Sequence, residues 1–268
     1  MWVFPKSGPF DSNRKSKLDE FFSAQNAATS IVREAIQNSL DAVRDRAEAP
    51  VHVRFTLSEH DWDDIEQFVS TEDSGCTLND HTSCNDLGSY AEDYEGQRIR
   101  CLAIEDYGTN GLTGSTDKDK ALSGSNFVGF WWNEGITGKG RGTLGNHGVG
   151  KTTLTRVSGM STFWALTKRS DDDRLFLVGF SNLPFHQLNN FSYLGYGRFG
   201  ETADDGASFL PIENGSTIGS FARTFGLDRS DYGLSVLIPA VSNNIEHGSI
   251  LEAVLEDYYW PILRGDLT

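Results

Sequence analysis

Residues 145–154 read GNHGVGKTTL, and the fold turns on how this stretch is read. Gly145, four further residues, then Gly150, Lys151 and Thr152 satisfy the phosphate-loop pattern. In that pattern bare backbone N–H groups cradle phosphates and the lysine reaches the terminal ones. Such a loop is delivered by a buried strand and runs into a helix whose N-terminus adds its dipole. Here the preceding residues, GITGKGRGTL (135–144), hold four glycines and no run of Val, Ile or Leu. The apolar runs that follow, LFLVGF (175–180) and LSVLIP (234–239), do not end in the Asp that would hold Mg²⁺. The apolar run that does end in acid, CLAIED (101–106), lies upstream. The pattern matches and its context does not. The alternative is a glycine-rich lid over a nucleotide in a different fold.

That alternative asks for more of the sequence. In VREAIQNSLDA (32–42) helical spacing puts Glu34, Asn38 and Asp41 on one stripe, roughly opposite Val32, Ile36 and Val43. Alone, such a stripe is also what a solvated helix face looks like. Asp106 closes the strand IRCLAIED (99–106), and alternation sets it on the side of Leu102 and Ile104. A carboxylate buried there must find donors. It caps a turn, or it accepts from the exocyclic amine of adenine; guanine carries an acceptor at that position, so the same carboxylate would select ATP over GTP. The turn that follows contains Gly108 and Gly111. The glycines of 138–150 lead into a helix start, where unpaired N–H groups suit phosphates.

Composition narrows the rest. The 268 residues suit one large domain or two small ones; 38% are hydrophobic and 23% charged, as in a globular chain. A net charge of −15 argues against direct nucleic-acid binding and against attraction to an anionic membrane. Three cysteines, Cys76, Cys84 and Cys101, with no C-x-x-C pair, suggest neither a disulfide framework nor a zinc site. With no signal-peptide pattern and no apolar run long enough for a bilayer, a cytoplasmic location is the expectation.

Along the chain we expect two helical segments within 14–47, the second over 27–46, then a strand at 51–57 and an acidic, irregular insertion at 58–97 with at most a short helix. The strand at 99–106 comes next, then a long glycine-rich segment (107–150) broken by the aromatic island FVGFWW (127–132), which reads as core. A helix at 151–158, a hairpin of 160–169 with 174–183, a strand at 233–241 and a final helix from 249, ended or kinked at Pro261, complete the list. EHDWDDIE (59–66) reads as a solvated acidic loop and Cys101 as an inert core thiol. Helices followed by strands that do not alternate with helices point to an α+β fold.

Taken together, the E-x-x-x-N-[S/A]-x-D-A helix, D-x-G-x-(x)-G and G-x-H-G-V-G resemble, in that order, the motifs of the Bergerat-fold (GHKL) ATPases: gyrase, the heat-shock chaperone, histidine kinases and MutL. The resemblance covers about residues 27–158, more weakly YGLSVLIP (232–239). DYGTNG (106–111) is one residue longer than the usual second motif, and Lys-Thr-Thr after HGVG is unusual for a gyrase-like lid. The resemblance implies a two-layer α/β sandwich, a mixed, mostly antiparallel sheet with helices on one face. It implies a single ATPase domain over 1–268, or a fragment of a longer chain, with an insertion near 58–97 and an ATP lid near 112–150. It implies ATP and Mg²⁺ as cofactors and hydrolysis as the reaction, because the 33 residues before Glu34 contain no phosphoacceptor His. Glu34 becomes the general base and Asn38 the Mg²⁺ ligand. Asp106 becomes the adenine acceptor, with Gly108 and Gly111 beside it. Gly145, His147, Gly148, Val149, Gly150, Lys151 and Thr152 become the lid on the phosphates, with Lys151 also near the reacting phosphate and Ser235 a phosphate contact. A homodimer, or an attached effector domain or subunit, receives the switch. An ATP-gated module with negligible turnover and a phosphate-loop NTPase on Gly145–Thr152 are the other readings.

Overall fold

The structure is a computed structural model and describes residues 1–9, 11, 27–43, 50–73, 75–84, 87, 92–117, 125–132, 150–203 and 208–268. A seven-stranded sheet organises it. In chain order its strands are β1 (Trp2–Val3), β2 (His52–Asp61), β3 (Arg98–Tyr107), β4 (Thr162–Lys168), β5 (Leu175–Asn182), β8 (Tyr196–Phe199) and β11 (Gly233–Ile238). Across the sheet they stand β1-β8-β5-β4-β11-β3-β2, and each neighbouring pair is antiparallel. Two small ribbons, β6 (His186–Leu188) with β7 (Phe191–Tyr193) and β9 (Glu201–Thr202) with β10 (Phe209–Leu210), stand apart.

The central strands are apolar on both sides, and both sides are covered. Leu102, Ile104, Phe163, Ala165, Phe176, Val178, Val236 and Ile238 face a core. Over it pack α1 (Ala27–Asp41), α4 (Asn126–Trp131), α5 (Gly150–Arg156) and α7 (His247–Leu263), through Ile31, Ile36, Phe127, Leu154 and Tyr258 among others. Cys101, Ala103, Trp164, Leu166, Leu177 and Leu237 face the other way. There they meet α2 (Trp62–Glu66), α3 (Leu78–Thr82) and α6 (Gly215–Phe225) through Trp62, Ile65, Leu78, Ile218, Phe221 and Phe225. The architecture is α+β, as expected, but the expectation of helices on one face alone is corrected: a strand such as FLVGF, apolar at successive positions, needs a cover on each side.

Three other expectations shift. The segment 58–97, expected to be irregular with at most a short helix, is more ordered: β2 runs on to Asp61, two short helices follow, and Trp62, Ile65, Phe68, Val69, Leu78 and Tyr94 are buried in the second core. The acidic EHDWDDIE is thus a strand end and a short helix whose two apolar residues, three apart, turn inward. The final helix continues through Pro261 to Leu263 instead of ending there. FVGFWW is helical through Trp131 and supplies Phe127, Val128 and Trp131 to the core. Cys101 is buried, and burial pushes its thiol up to about 12, so it stays protonated. Among the described residues no helix is long and apolar enough to cross a membrane.

The second core holds an unusual polar pair. His81 on α3 and His186 on β6 are both fully buried. His186 Nδ1 lies 2.9 Å from the Pro184 carbonyl, which must accept its proton. That leaves His186 Nε2 to accept from His81 Nδ1 at 2.8 Å and His81 Nε2 as a bare acceptor with no partner. Burial, then the neighbouring His186, lowers the His81 pKa to about 3, against a smaller pull upward from Asp73. The unfolded chain takes up this proton below about 6.5, the folded one only near 3, so stability falls as pH drops through that window. The expected loss is roughly 2 kcal/mol by pH 5. Thermal melting against pH checks it, and His81→Phe, which keeps the stack on Phe4, should flatten the slope; a wild-type melting temperature constant from pH 7 to 5 contradicts it.

Candidate functional site

On α1 the residues Ile31, Val32 and Ile36 fix the helix against the sheet, so the opposite stripe is left to water. Asn38 is exposed and Glu34 half-buried. One turn apart, they touch: Asn38 Nδ2 donates to Glu34 Oε1 at 2.7 Å. The amide is thereby oriented with its nitrogen toward the carboxylate, which leaves its oxygen for another partner. Gln37 makes the parallel contact to Asp41 at 3.1 Å.

Between these side chains and the sheet sits Ser39, which is buried. Its hydroxyl lies 2.9 Å from the Ala35 carbonyl and 3.3 Å from Asp106 Oδ2. Asp106 is near the end of β3 and buried on the α1 side, as alternation with Leu102 and Ile104 requires. Its other oxygen, Oδ1, accepts from Thr109 Oγ1 at 2.6 Å and from the Leu234 backbone N–H at 2.8 Å. Burial raises the Asp106 pKa; the Thr109 and Leu234 bonds, Arg229 and Ser39 pull it back in part. One carboxylate thus ties together α1, the turn after β3 and the start of β11.

The turn itself is held by its glycines. Gly108 and Gly111 have φ of +77° and +65°, the left-handed region. A Cβ on Gly111 would run into the Lys168 carbonyl and come to 2.8 Å of Thr167 Oγ1. The loop lies so close to β4 that Leu112 N–H donates to Thr167 Oγ1 at 2.9 Å, while Thr167 donates to the Gly233 carbonyl at 3.0 Å. Asn110 N–H reaches back to Ala42 O at 2.9 Å, closing the turn on the end of α1. Gly111 thus serves the backbone approach to β4. Beside the turn a cavity of about 370 Å³ is lined by Gly108, Thr109, Lys168, Ser230, Asp231 and Tyr232.

Gly145, His147, Gly148 and Val149 lie outside the described residues, as does much of the segment 112–150 expected to form a lid. Gly150 opens α5, and α5 packs against α1 and β4. The C-terminal end of the glycine-rich motif is therefore tethered at the Glu34 helix. Lys151 is buried, with Nζ 4.9 Å from the centre of the Phe180 ring. Thr152 is half-buried, and its carbonyl accepts from Thr155 Oγ1 at 3.2 Å.

Ser235 does not join this group. It pairs in register with Glu105 and donates to Glu105 Oε1 at 3.1 Å, on the face of the sheet turned away from Asp106. The neighbouring residue Leu234, through its N–H, stands beside Asp106. A polar cluster that sequence reading missed surrounds Glu105. Arg54 holds it at 3.0 and 2.9 Å, Tyr107 OH donates at 3.2 Å, and the guanidinium of Arg229, itself buried, lies over the Tyr107 ring at 4.4 Å and bonds the Asp106 carbonyl at 2.6 Å. The signal was present: in CLAIED two acids stand side by side, so strand alternation sends one to each face.

Among the described residues no three His, Cys, Asp or Glu side chains gather to hold a metal. A divalent ion here would depend on the Asn38 carbonyl oxygen and on oxygens of a ligand, an arrangement suited to Mg²⁺, which keeps waters and phosphate oxygens in its shell. The chain matches no known family model and no curated protein.

Proposed function

We propose that the chain is a Mg²⁺-dependent ATPase domain of the Bergerat type that works as a conformational or dimerisation switch. One observation carries this reading: the Ser39–Asp106 contact at 3.3 Å joins the helix motif to the strand-tip motif, two segments that stand 67 positions apart. Glu34 and Asn38 lie on that same helix, already hydrogen-bonded. The docking of α5 on α1 adds the tail of the third motif.

Each residue then has a role. Glu34, oriented by the Asn38 amide, accepts a proton from the attacking water. Asn38 holds Mg²⁺ through its oxygen; when bound, the ion supplies charge stabilisation to the transferring phosphoryl group. Asp106 offers the adenine amine the acceptor capacity of Oδ2 that the long Ser39 bond leaves. The lid residues up to Gly150, Lys151 and Thr152 close on the phosphates. The phosphate-loop reading is less well supported: the described segment before the lid is the helix α4, and the sheet pairs its strands antiparallel.

Titration calorimetry with ATP and with GTP, each with Mg²⁺, tests the proposal. ATP should bind at least tenfold more tightly than GTP. Lys151→Ala should cost ATP less than tenfold, whereas a phosphate loop would lose nearly all binding without its lysine. Equal binding of the two nucleotides, or none of ATP, ends this reading; binding without turnover replaces the ATPase with an ATP-gated module.

A further inference from the structure

The last helix is amphipathic twice over. Ile250, Ala253 and Tyr258 of α7 are buried, and the Tyr258 hydroxyl donates to the Arg33 carbonyl of α1 at 2.9 Å. Arg33 in turn grips Asp257 through two bonds of 2.5 and 2.8 Å. Away from this contact a second apolar stripe faces water. Leu251, Leu255, Tyr259 and Ile262 recur at steps of four, four and three, and are 58, 54, 55 and 37% exposed. Trp260 and Leu263 flank them at 58 and 73%. Among the described residues only Met1, Phe191 and Leu210 are other large hydrophobics so exposed, so the patch is concentrated on one helix.

Half-exposed side chains of this size offer roughly 100 Å² each, which makes roughly 600 Å² of continuous apolar surface. That is the upper end of what a monomer leaves to water. Paired with an identical stripe, and leaving out Trp260, which stands round the helix from Leu251 and Ile262, it would bury roughly 1,000 Å², the lower limit of a specific interface. The charges select the orientation. Glu252 and Glu256 border the N-terminal half of the stripe, and Arg264, now paired with Asp266 at 3.0 Å, lies just past its C-terminal end. A two-fold axis at the level of Tyr258 sets the helices antiparallel, brings Glu252 of one copy opposite Arg264 of the other, and opposes the helix dipoles. A parallel pair would set carboxylate against carboxylate.

We propose that a second copy of this chain docks on the Leu251–Leu255–Tyr259–Ile262 stripe, α7 against α7, antiparallel about a two-fold axis. Because α7 holds α1 through Tyr258 and Asp257, this interface lies behind the helix that carries Glu34 and Asn38. The inference rests on the stripe and not on the nucleotide reading.

Sedimentation of the full 268-residue chain without nucleotide, across the micromolar range, tests it. The wild type should show a dimer whose fraction rises with concentration. Leu255→Glu and Tyr259→Glu should weaken it at least ~100-fold, while Leu255→Met stays dimeric; both positions are exposed, so far-UV circular dichroism should be unchanged. A wild type that remains monomeric throughout overturns the proposal and assigns the stripe to a different protein or a further segment. A dimer that survives both glutamate variants overturns it too, because the contact then lies elsewhere.

Discussion

Replacing Glu34 by alanine should leave ATP binding within about twofold and lower turnover by ~10²–10⁴, the range a positioned general base contributes. Binding survives because the carboxylate touches neither the base nor the phosphates in this scheme; it addresses the water. The fold survives because Glu34 sits on the solvent stripe of α1, where alanine is a good helix former, and its partner Asn38 is exposed and can turn to water. Glu34→Gln separates two explanations. A glutamine can still accept the 2.7 Å bond from Asn38 through its amide oxygen, so the side chain's position is kept while its basicity is lost. Turnover as low as in the alanine variant identifies proton transfer as the missing function; turnover restored to wild type shows that Glu34 only orients Asn38. Single-turnover phosphate release beside nucleotide titration makes the distinction, and equal rates in wild type and both variants remove Glu34 from the reaction.

How far these residues could be read without coordinates depends on the range of the forces that hold them. Glu34 and Asn38 are neighbours on one helix, so spacing alone brings them together. Asp106 could be assigned its face by alternation within β3. The partners of Asp106 could not be read, because Thr109, Ser39 and Leu234 are chosen by how a loop, a helix and a strand meet. The same limit explains Ser235. On a strand, one position decides which face of the sheet a side chain takes, and the register Ser235–Glu105 sets it here. In the fold, the helix α6 was missed although its punctuation is plain. Asn214 caps Ser216 and Thr217, Gly226 ends the helix in the left-handed region, and Ile218, Phe221 and Phe225 follow at helical steps. Two glycines and several short polar residues dilute that pattern. The acidic run around Trp62 hid buried residues for a similar reason: charge on the outer side of a short element dominates its composition, while two inward side chains do its packing.

Asp106→Asn and Asp106→Ala should have opposite consequences, and the network predicts them atom by atom. In the asparagine variant the side-chain oxygen can keep both the Thr109 hydroxyl and the Leu234 N–H. The new NH₂ can donate to Ser39 Oγ, which still donates to the Ala35 carbonyl. No buried group is left without a partner, and no charge is buried. The raised pKa of Asp106 gives the sign: folding disfavours its ionised form, so the wild type loses stability as pH rises through and above the ordinary carboxylate range. At pH 7 the asparagine variant should therefore melt no lower than the wild type. Alanine instead strands the Thr109 hydroxyl and the Leu234 N–H, while Ser39 keeps its bond to the Ala35 carbonyl. At about 1–3 kcal/mol for each buried unsatisfied group, a loss of about 4 kcal/mol and a melting temperature roughly 10 °C lower are expected. Nucleotide binding completes the comparison. The second hydrogen of the asparagine NH₂ would face the adenine amine, donor against donor, so ATP should weaken by ~10²-fold, while guanine presents a carbonyl that this hydrogen can meet. The preference for ATP over GTP should shrink or reverse in a protein that is at least as stable. A buried carboxylate that a neutral isostere can replace without loss of stability is held there by something other than folding, and adenine recognition is the role we propose for it. If the asparagine variant melts lower than the wild type, or binds ATP and GTP with wild-type preference, Asp106 is only a clasp between α1, the turn and β11, and the adenine assignment falls with it.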